Sequence, residues 1–151
     1  MLRARLNEDL KQALKARDQI AVSTLRLILA ALKDRDIAAR GKGNCDGIAE
    51  DEILELLQKM VRQRRESIET YENAGRQELA DREAGEIEVI TRFLPQPLDE
   101  TEMARAIEEV IKEVEASSIK EMGKVIGALK QRYAGRMDFA RASQMVKERL
   151  V

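Results

Sequence analysis

The six residues Phe93-Leu94-Pro95-Gln96-Pro97-Leu98 interrupt a sequence that otherwise has the pattern of consecutive helices. They contain the only two prolines of the chain. Each proline lacks the amide hydrogen that a helix interior needs, and each disfavours helical backbone at the residue before it. A helix therefore cannot run through this segment. We predict a domain boundary here, with an N-terminal domain at residues 1–94 and a C-terminal domain at residues 95–151.

The composition on both sides of this boundary favours helices. Hydrophobic residues make up 44% of the chain and charged residues 36%, whereas aromatic residues make up only 3%. This balance suits helices rich in Ala, Leu, Glu, Lys and Arg, because strands favour β-branched and aromatic residues. We predict an all-α fold, with an N-terminal bundle of about four helices followed by a three-helix tail.

Before the prolines, apolar residues recur at helical spacing. The first helix is indicated by Leu2, Leu6, Leu10 and Leu14, and the second, which Asp18 can cap, by Val22, Leu25, Ile28, Leu29, Leu32 and Ile37. The glycine-rich segment 41–47 predicts a mobile connection. A third helix is expected to end at Gly75, and a fourth contains Leu79, Ile87, Ile90 and Leu94.

After the prolines, capping patterns delimit three helices. Asp99 and Glu102 have the spacing of a capping box at the start of the fifth helix, and Ser118 and Glu121 have that spacing at the start of the sixth. Gly135 is expected to end the sixth helix. Asp138 is placed to cap the last one.

The chain lacks several residue types that common catalytic and metal sites require. It has no histidine, the commonest general base and zinc ligand, and Cys45 has no second cysteine with which to form a disulfide. We expect no catalytic residue, no metal and no cofactor. The N-terminal residues have no apolar signal core, and no apolar run approaches the roughly 20 residues that span a bilayer. We expect a cytoplasmic protein with no membrane partner.

Charge is distributed unevenly within the tail. Residues 98–116 carry seven acidic and two basic side chains, a net charge of −5, whereas residues 117–151 carry eight basic and three acidic ones, a net charge of +5. Cations on or after the sixth helix could bind RNA phosphates, or could equally form a solvated face. Glycines at positions 123 and 127 are costly within a helix, so their spacing predicts that some group approaches this backbone closely, which could simply be a neighbouring helix.

Other charged groups have a structural interpretation. Arg62, Arg64 and Arg65 are expected to form mostly solvated ion pairs with Glu66 and Glu69 of the same helix. We expect no carboxylate in an apolar setting that would raise its pKa.

Four segments together resemble the GatB/YqeY family along essentially the whole chain. They are residues 13–18 with 23–28, residues 63–69 continuing to 74–76, residues 93–98, and residues 120–125 continuing to 135–138. The resemblance implies an N-terminal helical domain and a tail similar to the C-terminal domain of the B subunit of tRNA-dependent amidotransferase, which helps to hold the tRNA. By this resemblance the candidate tRNA-facing residues are Lys120, Lys124, Lys130, Arg132 and Arg136.

Two functions remain open at this point. The first is a tRNA-binding or amidotransferase-like accessory protein, whose family label is carbon–nitrogen ligase with glutamine as amido donor. We do not expect it to be an enzyme by itself, because no P-loop or other self-contained catalytic motif is present. The alternative is a helical protein–protein interaction module that binds no nucleic acid, using the acidic fifth helix or the arginines of the third.

Overall fold

The computed structural model describes residues 1–151 and contains seven α-helices and no strand. The helices are α1 (Leu2–Ala16), α2 (Gln19–Gly41), α3 (Glu50–Asn73), α4 (Gln77–Thr91), α5 (Glu100–Glu113), α6 (Met122–Tyr133) and α7 (Phe139–Leu150). A short 3-10 turn, Ile119–Glu121, precedes α6. The prediction of an all-α fold is confirmed. None of these helices is both long and apolar enough to cross a membrane.

Contacts divide the chain into two compact units. The first, Met1–Leu94, contains α1–α4 and is here called the N-terminal unit; the second, Pro95–Val151, contains α5–α7 and is called the tail. Each unit has its own hydrophobic core.

The core of the N-terminal unit is built from one side of each of its four helices. Its fully buried large side chains are Leu6, Leu25, Ile28, Ile53, Leu57 and Ile90. Two predicted core residues lie outside it: Leu14 is 47% exposed and Ile37 is 53% exposed. A four-residue spacing rotates by about 40° per step around a helix, so Leu14 has turned away and Ala13 is buried in its place.

Most predicted helix ends are confirmed. The carboxylate of Asp18 accepts a hydrogen bond from the Ala21 N–H, and that of Asp138 accepts one from the Ala140 N–H. Gly75 has the expected positive φ, 72°. The box predicted at Ser118 is wrong: its side chain makes no cap, and Glu121 accepts instead from the Ser117 N–H.

The glycine-rich connection between α2 and α3 carries hydrogen bonds that its composition did not indicate. Asp36 Oδ1 accepts from the Ile48 N–H at 2.9 Å and from Arg3 Nη2 at 2.6 Å, which ties the end of this segment to α1 and α2. Partial burial raises the pKa of Asp36, but the hydrogen bonds from Ile48 and Arg3 outweigh it, so the pKa lies below its ordinary value.

The tail encloses a small core between its three helices. Ile107 and Val110 of α5, Val125 and Leu129 of α6 and Val146 of α7 are almost completely buried in it. Because Val125 and Leu129 are the buried residues of α6, the opposite side of that helix faces solvent.

Candidate nucleic-acid interface of the tail

The acidic charge of α5 is paired with arginines of the two helices that follow it. Arg132 of α6 contacts Glu113, Arg141 of α7 contacts Glu100 at 3.1 Å, and Arg149 of α7 contacts Glu108 at 3.4 Å. The hydrogen bond from Arg132 lowers the pKa of Glu113. Three of the seven acidic side chains of residues 98–116 therefore pair with arginines of the basic half of the tail.

Arg136 has a role in the folding of the tail. Its Nε donates to the Gln96 carbonyl at 2.9 Å, and its own carbonyl accepts from the Leu98 N–H at 2.8 Å. These two bonds attach the segment after Pro95 to the turn after α6. With Arg136, all four arginines of residues 117–151 are engaged in contacts within the tail.

The lysines of the same segment lie on the surface. Lys120, Lys124 and Lys130 are all exposed, and the ammonium of Lys130 lies 5.8 Å from the centre of the Phe139 ring. Within α6, residues 123, 127 and 130 and residues 124, 127 and 131 follow helical spacing, which places Lys124 and Lys130 on the two flanks of one exposed face. Lys120 lies in the 3-10 turn that precedes this face. The face together with Lys120 is here called the lysine face.

Two glycines occupy the middle of the lysine face. Gly123 and Gly127 are exposed, and a Cβ added at either one would have no atom within 4 Å outside its own helix. Of the possibilities that the glycine spacing left open, a neighbouring helix of this chain does not occur. The backbone at these glycines is open to solvent, with Lys124 and Lys130 on its flanks.

The structure thus separates the five predicted RNA-facing residues into two groups. Lys120, Lys124 and Lys130 share the lysine face, whereas Arg132 contacts Glu113 and Arg136 contacts the Gln96 carbonyl. Arg132 follows Val125 by seven residues, which puts it on the side of α6 that packs against α5. The positions of these residues along α6 could therefore have separated Arg132 from the exposed lysines. Their shared positive charge could not.

The arginines of α3 differ from their prediction. Arg64 does not pair with Glu66 or Glu69; its Nε donates to Glu86 of α4 at 2.9 Å, and both side chains are largely buried, 13% and 11% exposed. Arg62 and Arg65 are exposed.

The prediction that no carboxylate has a raised pKa is also wrong. Burial, together with the nearby Glu86 carboxylate, raises the pKa of Glu83. A signal for this cluster exists in the sequence, because Glu86 precedes the buried Ile90 by four residues and so falls on the apolar side of α4.

A cleft of about 210 Å³ lies in the N-terminal unit, between α1, α2 and the end of α4. Its lining includes Ala13, Ala16, Leu25 and Phe93. Sites that enclose drug-sized ligands usually exceed about 300 Å³. No group of three or more Cys, Asp or Glu side chains is arranged to hold a metal ion.

Comparison with known proteins identifies similar sequences. The family model described as "Yqey-like protein" matches residues 3–150. The chain is 33% identical over 117 residues to "Altered inheritance of mitochondria protein 41, mitochondrial" of Lachancea thermotolerans, an alignment that covers 76% of this chain and 60% of that protein. For the proteins of that name in Eremothecium gossypii and Saccharomyces cerevisiae, identity is 36% and 31% over 91 residues, covering 60% of this chain and 48% and 47% of theirs. The chain thus spans between about half and three fifths of the length of these relatives.

Proposed function

Because the chain belongs to the YqeY-like protein family over residues 3–150, we propose that it is a tRNA-binding accessory protein related to the tRNA-dependent amidotransferases. The observation that carries this proposal is the lysine face of the tail, where Lys124 and Lys130 are exposed on α6 and Lys120 is exposed in the turn that precedes it. The resemblance of the tail to the C-terminal domain of an amidotransferase B subunit supports the choice of tRNA among polyanions.

The chemistry of the lysine face suits a phosphate backbone. Ammonium groups form charge-assisted hydrogen bonds with phosphate oxygens, and each phosphate neutralised releases condensed counterions. No fully exposed aromatic ring offers a platform on which an unpaired base could stack: Phe93 is buried, Tyr71 and Tyr133 are partly buried, and Phe139, beside Lys130, is also partly buried. Recognition of a folded RNA by its shape fits this surface better than readout of single-stranded bases.

The glycines give the lysine face a second property. A glycine within a helix costs roughly 1 kcal/mol relative to alanine, and at Gly123 and Gly127 no neighbouring part of the chain uses the space that the missing side chains leave. A ligand can therefore approach the helix backbone closely between the lysines.

We assign the chain an accessory role rather than a ligase activity of its own. A carbon–nitrogen ligase must bind ATP, activate a carboxylate and deliver ammonia, and we identify no set of residues for these steps. The proposed site of action is the cytoplasm, where the exposed Cys45 would remain a free thiol. The yeast relatives named above carry "mitochondrial" in their names.

Binding to total tRNA at two salt concentrations tests the proposal. The triple variant Lys120→Gln, Lys124→Gln, Lys130→Gln is expected to bind tRNA at least about tenfold more weakly at low salt. The plot of log affinity against log salt concentration should become less steep by roughly 2 to 3, because each lost phosphate contact reduces the slope by about 1. The matched control changes three exposed lysines of the N-terminal unit, Lys11, Lys15 and Lys59, to Gln.

Two results would contradict the proposal. One is equal affinity of the wild-type chain and the tail triple variant; the other is an equal loss in the control variant, which would show that only net charge matters. The alternative function, an interaction module that binds no nucleic acid, would be favoured by a stoichiometric protein complex that resists nuclease. The acidic α5 is a weaker surface for it than expected, since Glu100, Glu108 and Glu113 are already paired.

A further inference from the structure

Helix α2 presents a strip of large apolar side chains to solvent. Apart from the two end residues of the chain, five large hydrophobic side chains are exposed, and three of them lie on α2: Ile20 (45%), Leu27 (48%) and Ile37 (53%). They lie on the side away from the buried Leu25, Ile28 and Leu32. Single exposed apolar residues are ordinary, but Ile20 and Leu27 lie on one line of α2 and Ile37 on the neighbouring line, so the three form an apolar strip that extends over about 25 Å of helix.

Small residues make this strip shallow and continuous. Ala30 and Ala38 are exposed between and beside the large side chains. At one end, Ile20 lies against Gly85 of α4, whose Cβ, if it had one, would be 3.6 Å from Ile20 Cγ2. A partner helix could therefore lie along α2 and would meet one charged side chain within the strip, that of Asp34.

A row of cations runs along one flank of the apolar strip. Arg26, Lys33 and Arg40 follow each other at intervals of seven residues, so they stay on one line of the helix. All three are exposed, and none donates a side-chain hydrogen bond to a carboxylate, although the charge of Arg40 helps to lower the pKa of Asp36. By contrast, Arg3 and Arg64 of the same unit pair with carboxylates.

The charge pattern disfavours a second copy of this chain on the α2 surface. In a two-fold antiparallel pair of α2 helices, the row Arg26, Lys33 and Arg40 would face the same row of the other copy. In a parallel pair it would face the other flank of the strip, which consists of Thr24, Ala31 and Ala38 and carries no carboxylate. The antiparallel arrangement sets like charges against each other, and neither arrangement brings a row of carboxylates against the cations.

From these observations we propose that the exposed side of α2 is a docking surface for an acidic amphipathic helix of a protein partner. The apolar stripe of that helix would cover Ile20, Leu27 and Ile37, and its carboxylates, repeated every seven residues, would pair with Arg26, Lys33 and Arg40. Asp34, which lies in line with Ile20 and Leu27, would meet a cationic or amide side chain that fixes the register. This proposal is independent of the RNA proposal, because α2 belongs to the N-terminal unit.

A designed peptide serves as the probe. It is a labelled helix of about 21 residues, enough to cover the strip, with leucines at heptad spacing, a row of glutamates on the flank that would face the cations, and one lysine opposite Asp34. The matched control peptide carries lysines in place of the glutamates. The full chain is expected to bind the glutamate peptide at least about tenfold more tightly than the lysine peptide at low salt, measured by fluorescence anisotropy.

Charge reversal on the protein provides the decisive comparison. The triple variant Arg26→Glu, Lys33→Glu, Arg40→Glu should reverse the preference, binding the lysine peptide more tightly than the glutamate peptide. The double variant Leu27→Gln, Ile37→Gln should weaken both peptides, since it removes the apolar contacts but keeps helix-favouring residues. A control triple, Lys11→Glu, Lys15→Glu, Lys59→Glu, has the same charge change away from α2 and should keep the wild-type preference. Circular dichroism melts check that every variant is folded.

Three outcomes would overturn the proposal. The first is an unchanged peptide preference in the charge-reversed α2 variant. The second is that the wild-type chain binds vesicles of phosphatidylcholine and phosphatidylserine through Leu27 and Ile37 but binds neither peptide, which would make the strip a membrane-surface contact. The third is a dimer, observed by light scattering, that the Leu27→Gln, Ile37→Gln variant dissolves, which would make a second copy the occupant.

Discussion

The N-terminal unit has buried and partly buried ion pairs beside exposed ones such as Arg76–Glu78, whereas the tail pairs its charges on its surface. In the N-terminal unit, the pairs Arg64–Glu86 and Arg3–Asp36 are wholly or partly buried between helices. In the tail, the pairs Arg132–Glu113, Arg141–Glu100 and Arg149–Glu108 lie on the outside, with at least one strongly exposed partner in each. An ion pair surrounded by core atoms affects folding strongly, whereas an exposed pair mainly sets the local surface charge.

The largest effect is expected at the buried pair of the N-terminal unit. Arg64→Met removes the partner of Glu86 and leaves two neighbouring carboxylates, Glu83 and Glu86, at the edge of the core. Removing one member of a buried pair typically costs about 3 kcal/mol or more, because the remaining charge stays desolvated. Urea unfolding of the variant should show a loss of about this size.

A double variant separates the charge effect from a packing effect. In Arg64→Met, Glu86→Leu the buried charge is gone, and most of the lost stability should return. A double variant that is as unstable as Arg64→Met would show that the guanidinium acts through its contacts, such as its bond to the Met60 carbonyl, rather than by neutralising Glu86.

The two units also differ in how closely their glycines are surrounded, since Gly47 of the N-terminal unit is crowded and Gly127 of the tail is not. The next largest effect is expected at Gly47. Its φ is 84°, and an added Cβ would lie 2.6 Å from Asp36 Oδ1 and 2.8 Å from Arg3 Nη2. Gly47→Ala should therefore cost about 2 kcal/mol, from backbone strain and from displacement of the ion pair. Gly75→Ala, also at positive φ but in open space, should cost only the strain.

In the tail, Gly127→Ala is expected to have the opposite sign. Its backbone is helical and nothing lies near the added Cβ, so thermal unfolding should show a gain of up to about 1 kcal/mol. A destabilised Gly127→Ala variant would mean that the open face of α6 is not open in solution. If tRNA contacts this backbone, the same variant should bind tRNA more weakly while being more stable.

Much of the fold could be predicted because its signals are local. The two prolines, the caps at Asp18, Asp99 and Asp138 and the glycine at 75 each act within one turn of their own position. The failures have a different origin. How much of a helix surface is buried depends on which helices pack against it, and this is not visible in the spacing of apolar residues. Leu14 and Ile37 fit the apolar pattern of their helices but are exposed, because no other helix covers them.

Less of the candidate site could be predicted, because charge at a residue does not show what that charge contacts. Lys124 and Arg132 look alike as cations on α6, yet one faces solvent and the other meets Glu113 of α5. Likewise Arg64 pairs with Glu86, twenty-two residues away, rather than with a glutamate of its own helix. Partners on another helix become visible only when the helices are assembled. The choice of tRNA as ligand rests on the family resemblance and not on any single residue.

A smaller, pH-dependent effect is expected at Asp36. Its pKa lies below the ordinary value in the folded chain, so it adds stability above the unfolded-state pKa, and this contribution is lost as the pH falls through the folded-state pKa. Asp36→Asn should reduce stability at pH 7 by about 1 kcal/mol, the scale of one hydrogen bond. The difference from wild type should shrink as the pH falls below about 3.9, the ordinary pKa of an aspartate.

Urea unfolding at a series of pH values measures the Asp36 effect. Asp46→Asn is the matched control, because the Asp46 carboxylate lies in the same connection, is exposed and accepts no hydrogen bond. A difference between wild type and Asp36→Asn that stays constant with pH would show that the amide is a poor fit in that position and that ionisation of Asp36 does not matter.

The smallest effect on stability is expected at the exposed pair Arg132–Glu113. Holding two solvated side chains together costs conformational entropy that nearly offsets their attraction, so Arg132→Gln and Glu113→Gln should each melt within experimental error of wild type. Their effect should instead appear in the electrostatics of the tail, because Glu113→Gln leaves the Arg132 guanidinium without its partner. If the basic side of the tail binds tRNA, Glu113→Gln should strengthen low-salt binding slightly and Arg132→Gln should not, as filter binding can test. A marked loss of melting temperature in either variant would contradict the contrast between the two units, since it would make an exposed pair as important for folding as Arg64–Glu86.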